Sequence, residues 1–294
     1  MDSASASEPD RHGVKLLHEW FLEGLAANPE GCALRVKGRS WTYTELHRTA
    51  CDWAGALVAG CGGRPRRVGV LASKSVEAYV GFLATLYAGG TVVPLNPGYP
   101  VEHNRVVAAA AGLDALVVDR VGSAQLGGIA AIAPLRVCLT TSTEGLTAAP
   151  GLPLVAPDGS TPVEPLRDGV DEFAYIVFTS GSTGLPKGVP VRHGNISAFL
   201  RAVLPRYSLG PRDVFSQVHE LTFDLSMFEV WGAWASGACL TVLNHVQALT
   251  PARFVRRHAI TFWTSTPSLA GVVCARGKVP PRSPAWPSVH HVLR

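Results

Sequence analysis

An α/β fold built from layered βαβ units is predicted by three features of this sequence. Residues 67–95 read as a buried strand, a helix and a second buried strand in immediate succession. Residues 173–178 form a continuously apolar run that ends in a Gly- and Ser-rich turn, the pattern of another fully buried strand. The 294 residues are 47% apolar and 16% charged, enough for the core of one large domain or two ordinary ones. Together with seven Trp, six Tyr and ten Phe, that composition excludes wholesale disorder.

Each element has a local reason. Residues 1–13 are polar and acidic, expected as a disordered lead and not a signal peptide. Leu17, Trp20, Phe21 and Leu25 recur at helical spacing within residues 14–27. Residues 32–36 are a short strand, and 37–40 (KGRS) a turn. Thr42 followed by Glu45 is a capping box that opens a helix running to about Gly60. The strand at 67–73, helix at 76–88 and strand at 91–95 follow, then a helix at 102–111 and a strand at 114–119. Between 122 and 168 the pattern decays into Gly, Pro, Ser and Thr, expected as loops with short strands. Subdomains are expected at about 14–170 and 171–294.

Composition also restricts partners. A net charge of +4 is too small for a nucleic-acid footprint, and the Arg64-Arg66-Arg67 and Arg253-Arg256-Arg257 clusters lack interleaved aromatics. Two stretches without charged residues, 78–101 and 230–252, are each interrupted by Gly, Pro or Asn, so no membrane span is expected. The six cysteines contain no CxxC pair, which argues against a zinc site and for reduced thiols in the cytoplasm. His193 and His219 are expected to be hydrogen-bonded structural residues, and His290-His291 has no third ligand nearby, so no metal site is expected.

The most informative segment is TSGSTGLPKG, residues 179–188, which follows the apolar strand. Its three glycines let the backbone fold around an anion, its hydroxyls add donors, and Lys187 supplies a point charge for phosphate oxygens. It is not a Walker A loop, because Pro186 precedes Lys187 and Gly188 follows it. By itself a Gly/Ser-rich string can equally be a turn without a ligand.

This ten-residue string closely resembles the phosphate-binding loop of the AMP-forming adenylating enzymes. WTYTEL from Trp41, YAGGTVVPLNPGYP from Tyr87 and LTFDLSMFEVWGAWASGACL from Leu221 resemble, in the same order, core motifs of amino-acid adenylation domains. The closest likeness is to the adenylation domains of nonribosomal peptide synthetases and to stand-alone amino-acid ligases. The resemblance implies that Thr179, Ser180, Gly181, Ser182, Thr183, Gly184 and Lys187 hold the phosphates of ATP, with Mg2+, and that Lys187 acts in catalysis. It further implies activation of an amino acid as aminoacyl-AMP, followed by transfer to a thiol on coenzyme A or a phosphopantetheinyl carrier protein.

Asp224 distinguishes the subclasses. Taken alone it reads equally as a helix-opening aspartate or as a pocket carboxylate. Within the motif, the resemblance implies that it faces the substrate's α-ammonium, where a fatty-acid substrate would leave it unpaired. Leu225, Phe228 and Thr264 match further pocket positions and imply a small or medium neutral side chain. An acyl-CoA synthetase is the alternative enzyme, and a non-catalytic binding module the alternative outside enzymology. Residues 286–294 resemble the strand before a Gly-Gly-Glu turn in the family. The adenine loop with the Mg2+ carboxylate, the ribose aspartate and the small C-terminal domain with its lysine have no counterpart in residues 189–294. The expectation is therefore an incomplete, truncated large N-terminal domain, nearly inactive by itself.

Overall fold

A computed structural model describes residues 15–169, 172–180, 185–249, 251–266, 288–289 and 291–293. It is mixed α/β, with two sheets rich in parallel strands, as the sequence predicts. Helix α1 (Leu17–Ala27) leads into a hairpin of β1 (Cys32–Val36) and β2 (Arg39–Thr42). Its two-residue turn carries positive φ at Lys37 (49°) and Gly38 (82°), the twist a tight hairpin requires. The turn is therefore shorter than the expected 37–40, and Arg39 and Ser40 already belong to β2. The Thr42 hydroxyl accepts from Glu45 N–H at 3.1 Å, and the Glu45 carboxylate accepts from Thr42 N–H at 2.8 Å, forming the predicted capping box of α2 (Tyr43–Cys61). Gly62, at φ 64°, ends that helix in the left-handed conformation.

The βαβ unit consists of β3 (Arg67–Leu71), α3 (Val76–Tyr87) and β4 (Thr91–Leu95), with β3 and β4 parallel and in register from Arg67↔Thr91 to Leu71↔Leu95. Then come α4 (Val101–Ala111), β5 (Ala115–Val118), α5 (Leu126–Ala130), β6 (Val137–Leu139) and β7 (Leu154–Val155). The short α5 departs from the expected loop, since Gly127 and Gly128 hide its helical pattern while Leu126 and Ile129 bury its apolar side. Next are β8 (Phe173–Ser180), β9 (Pro186–Arg192), α6 (His193–Val203), β10 (Val214–Gln217), α7 (Leu225–Ala235) and β11 (Cys239–Val242). The described chain closes with α8 (His245–Leu249), α9 (Pro251–His258), β12 (Phe262–Thr264) and β13 (His291–Leu293).

One sheet has the order β7-β6-β5-β3-β4-β8-β9 and the other β13-β12-β10-β11-β1-β2. The early hairpin β1-β2 thus joins the late strand β11, while β8-β9 joins β4. A division of the chain near residue 170 does not coincide with the division between sheets. Helices α1, α2, α3 and α7 pack between the two sheets in one continuous apolar core. Helix α3 is buried from Glu77 through Tyr87, as befits a helix with sheet and helices on every side. Its close approach is set at Gly81, where an added Cβ would stand 2.6 Å from Val117. Helices α4 and α5 cover the outer face of the first sheet, and α9 covers that of the second.

Two buried histidines lock α1 to its neighbours. The His18 Nε2–H donates to the Leu166 carbonyl at 2.8 Å, and His193 Nδ1 accepts the Leu17 N–H at 2.9 Å. Burial lowers His18 to about 4, and burial with the charges of His18 and Arg64 lowers His193 to about 3. Both rings stay neutral in the fold but take protons near 6.5 when unfolded. The unfolded chain therefore binds more protons below pH 6.5, so stability is full above that value and declines as pH falls toward 4 and 3. The expected loss between pH 7 and pH 5 is on the order of 2–4 kcal/mol, read from urea midpoints at the two pH values. Equal midpoints would contradict neutral burial of the two rings.

Candidate functional site

Thr179, Ser180 and residues 186–188 of the predicted phosphate loop lie at the facing ends of two strands. Strands β8 and β9 are antiparallel, with Ser180↔Pro186, Thr179↔Lys187, Val177↔Val189 and Tyr175↔Val191 as partners. Alternation along a strand places the last three of these pairs on one face. Thr179 and Lys187 are thus direct cross-strand neighbours, both exposed, at the tip end of that face. Gly181, Ser182, Thr183 and Gly184 lie outside the described residues.

That face forms one wall of a pocket of about 550 Å³, lined by Tyr175, Val177, Thr179, Val189 and Val191. Thr222, Phe223 and Asp224, just ahead of α7, also line it. Another side is the loop after β4 with α4, including Asn96, Tyr99 and His103. Buried Asn104 fixes this loop, donating to the Asn96 carbonyl at 2.8 Å and to Gln125 Oε1 at 2.8 Å. Gln125 in turn donates to the carbonyls of Pro97 and Tyr99.

Asp224 heads a helix and also lines the pocket. Its Oδ1 accepts the Leu225 N–H at 2.8 Å at the head of α7, where the helix dipole favours a negative charge. Its charge adds to the burial that raises the Tyr175 phenol. The carboxylate is exposed, and its second oxygen has no partner among the described residues.

The segment leading to Asp224 is tied down by a buried polar network. The Glu229 carboxylate, 0% exposed, accepts from the N–H groups of Val218 (3.1 Å) and His219 (3.1 Å), from Gln217 Nε2 (3.1 Å) and from His219 Nδ1 (2.8 Å). Gln217 Oε1 accepts the Tyr79 hydroxyl at 2.9 Å, linking the network to α3. From the β3–α3 loop, Lys74 Nζ donates to the carbonyls of Val218 and Leu243 and pairs with Glu220 at 3.7 Å. Burial lowers the Lys74 pKa, an effect opposed by the charges of Glu220 and Glu229. His193 and His219 both hold structural hydrogen bonds.

Residues 21–293 match the AMP-binding enzyme family. The chain belongs to this family. It is 33% identical over 271 residues to syringomycin synthase SyrB1 of Pseudomonas syringae pv. syringae, a match covering 90% of the chain and 41% of the relative. It is 31% identical over 259 residues to an L-proline–[L-prolyl-carrier protein] ligase of Pseudomonas fluorescens, covering 87% of the chain and 51% of that ligase. Among solved structures, the crystal structure of IdnL7 superposes with a TM-score of 0.84 at 36% identity, covering 94% of this chain and 54% of IdnL7. The chain thus spans about half the length of these relatives or less. A nonribosomal peptide synthetase of Lecanicillium sp also matches, 32% identical over 263 residues and covering 88% of the chain and 3% of the relative, in the class that the motifs predict.

Three of the expected pocket residues do not line the cavity that Asp224 faces. Leu225 is half-buried and contributes its N–H to Asp224. Phe228, 2% exposed, packs against Phe199, Tyr207 and Phe262. Thr264 is fully buried at the end of β12, where its N–H donates to Ser216 Oγ at 3.3 Å and its hydroxyl has no partner among the described residues. Tyr175, Val177, Val189 and Val191 escape the sequence reading, although strict alternation through the β8–β9 hairpin is the signal that finds them. Glu229 and Lys74 also escape it, because their partners are main-chain groups of distant segments.

AMP-binding ligases use ATP, usually with Mg2+. Among the described residues no three His, Cys, Asp or Glu side chains gather to hold a metal ion. Magnesium is ordinarily held by one or two carboxylates together with the phosphates of its substrate. Among the described residues no helix is long and apolar enough to cross a membrane.

Proposed function

We propose that this member of the AMP-binding enzyme family activates an amino acid: the substrate carboxylate oxygen attacks the α-phosphorus of ATP, pyrophosphate leaves, and an aminoacyl-adenylate forms for transfer to a carrier-protein thiol. The observation that carries this reading is that the exposed Asp224 carboxylate lines the same pocket as Tyr175, Val177 and Thr179 of β8, while Thr179 pairs with Lys187 on β9. An amino acid in that pocket would set its ammonium against Asp224 and direct its carboxylate to the hairpin tip, where the phosphates would lie. Holding the two anions in line removes the entropy of their encounter, and Lys187 offsets their repulsion. The largely apolar walls suit a neutral side chain. The prolyl-carrier-protein ligase among the relatives supports the choice of acceptor.

Phe228 and Thr264 are proposed to set side-chain selectivity from beneath the pocket, Phe228 one turn along α7 from Asp224 and Thr264 beside Phe262. Amino-acid-dependent exchange of labelled pyrophosphate into ATP tests the activity, and calorimetry tests binding of the amino acid and of ATP separately. Binding or turnover of carboxylic acids without an amine, in preference to amino acids, would overturn the reading. Lys187→Ala is expected to weaken ATP binding about 10- to 100-fold, the loss of one hydrogen bond to a charged group, with little change for the amino acid. A selective loss of amino-acid binding in that variant would reassign Lys187.

A further inference from the structure

The parallel strands β1 and β11 bring two thiols from opposite ends of the chain together. Cys32 Sγ and Cys239 Sγ are 3.1 Å apart, closer than ordinary non-bonded sulfur contact. Cys32 is half-exposed at the start of β1, whereas Cys239 is 5% exposed and has the Thr241 hydroxyl at 3.6 Å. We propose that Cys32 and Cys239 form an oxidisable dithiol site, which a hydroperoxide converts to a disulfide joining β1 to β11. The site is separate from the pocket at Asp224 and does not depend on the amino-acid reading.

Their environments divide the two roles. The hydrogen bond from Cys239, the Arg35 charge and the Ser40 hydroxyl lower the Cys32 thiol to about 6, against the effect of burial. The same contact and burial raise Cys239, so its proton stays in place until Cys32 has reacted. The remaining described cysteines lack this activation. Burial pushes Cys51 up to about 11 and Cys138 up to about 12, and it also raises Cys61.

The chemistry balances in two steps. The Cys32 thiolate attacks one oxygen of the hydroperoxide, the O–O bond breaks, and the departing alkoxide or hydroxide takes a proton from water. Cys32 is then a sulfenic acid, oxidised by two electrons. Cys239 sulfur attacks the Cys32 sulfur, the S–O bond breaks, and hydroxide leaves with the Cys239 proton as water. A disulfide needs about 2.05 Å between the sulfurs, so closure requires an approach of only about 1 Å through side-chain rotation.

The test is a peptide map of the purified chain after brief exposure to hydrogen peroxide, with free thiols alkylated and no reductant present. The expected result is loss of two hydrogens from the intact mass and one linked peptide pair containing Cys32 and Cys239, restored by dithiothreitol. Cys32→Ser is expected to abolish the link. Cys239→Ser is expected to stop at a sulfenic acid on Cys32, trapped by dimedone. The proposal is overturned if Cys32 remains fully alkylatable after peroxide, or if the link joins any other pair, including one with Cys274. The wild-type map decides the matter even if the Cys239 variant does not fold.

Discussion

Replacing Asp224 with serine is expected to weaken amino-acid binding about 100-fold or more while ATP binding changes little, and the matching change in an intact relative is expected to abolish amino-acid-dependent pyrophosphate exchange. Serine is the informative substitution because Asp224 also heads α7, through its contact with the Leu225 N–H. Serine caps helices about as well as aspartate, so α7 keeps its start and only the charge is lost. Alanine would remove both, costing about 1 kcal/mol of stability in addition. The size of the effect follows from what the ligand does to the pocket. In solvent an ion pair is worth roughly 0.2–1 kcal/mol; Asp224 and Phe223 are exposed in the free chain, so the larger loss expected here depends on the bound amino acid displacing water beside Tyr175, Val177 and Phe223. Truncating one partner of a desolvated pair costs about 2–5 kcal/mol. Unchanged affinity in Asp224→Ser, with the helix intact by circular dichroism, would remove the α-ammonium assignment.

Glu229→Ala is expected to lower stability by about 3–5 kcal/mol, seen as a fall in the urea midpoint at constant slope. The carboxylate is fully buried and gathers four donors, two of them main-chain N–H groups that cannot turn elsewhere. Removing it leaves those donors without an acceptor in the core between α7 and β10, and each such loss costs about 1–3 kcal/mol. Glu229→Gln keeps the volume and one acceptor oxygen but turns an amide N–H toward donors, so an intermediate loss is expected. The network fixes residues 217–219, and Asp224 follows five residues later. The glutamine variant is therefore also expected to bind the amino acid more weakly, in step with its loss of stability. A change under about 1 kcal/mol in Glu229→Ala would show that water replaces the carboxylate readily.

Much of this was legible in order along the chain. The Thr42–Glu45 cap, the strands at 32–36 and 91–95 and the parallel β3-α3-β4 unit are decided by neighbours within a few turns, so local pattern suffices. Helix α5 was hidden because two adjacent glycines lower helix propensity, and burial of Leu126 and Ile129 overrides them. Leu225, Phe228 and Thr264 share a motif with Asp224 or resemble family positions, yet three-dimensional packing turns Phe228 into the aromatic cluster around Phe262. A helix presents different residues to different neighbours, and which neighbour each meets is not written in its spacing.

The sequence by itself determined the fold class, the family and the residue types available for chemistry: a hydroxyl- and glycine-rich loop with one lysine after a buried strand, and one carboxylate in the motif that follows. Only the tertiary structure decided which of these meet. It paired Thr179 with Lys187, brought Asp224 into the pocket that Thr179 lines, and placed β1 beside β11 so that Cys32 meets Cys239. The reason is physical. Local pattern records how each segment buries its own apolar face, whereas strand order and helix docking are settled by all the segments competing for one core.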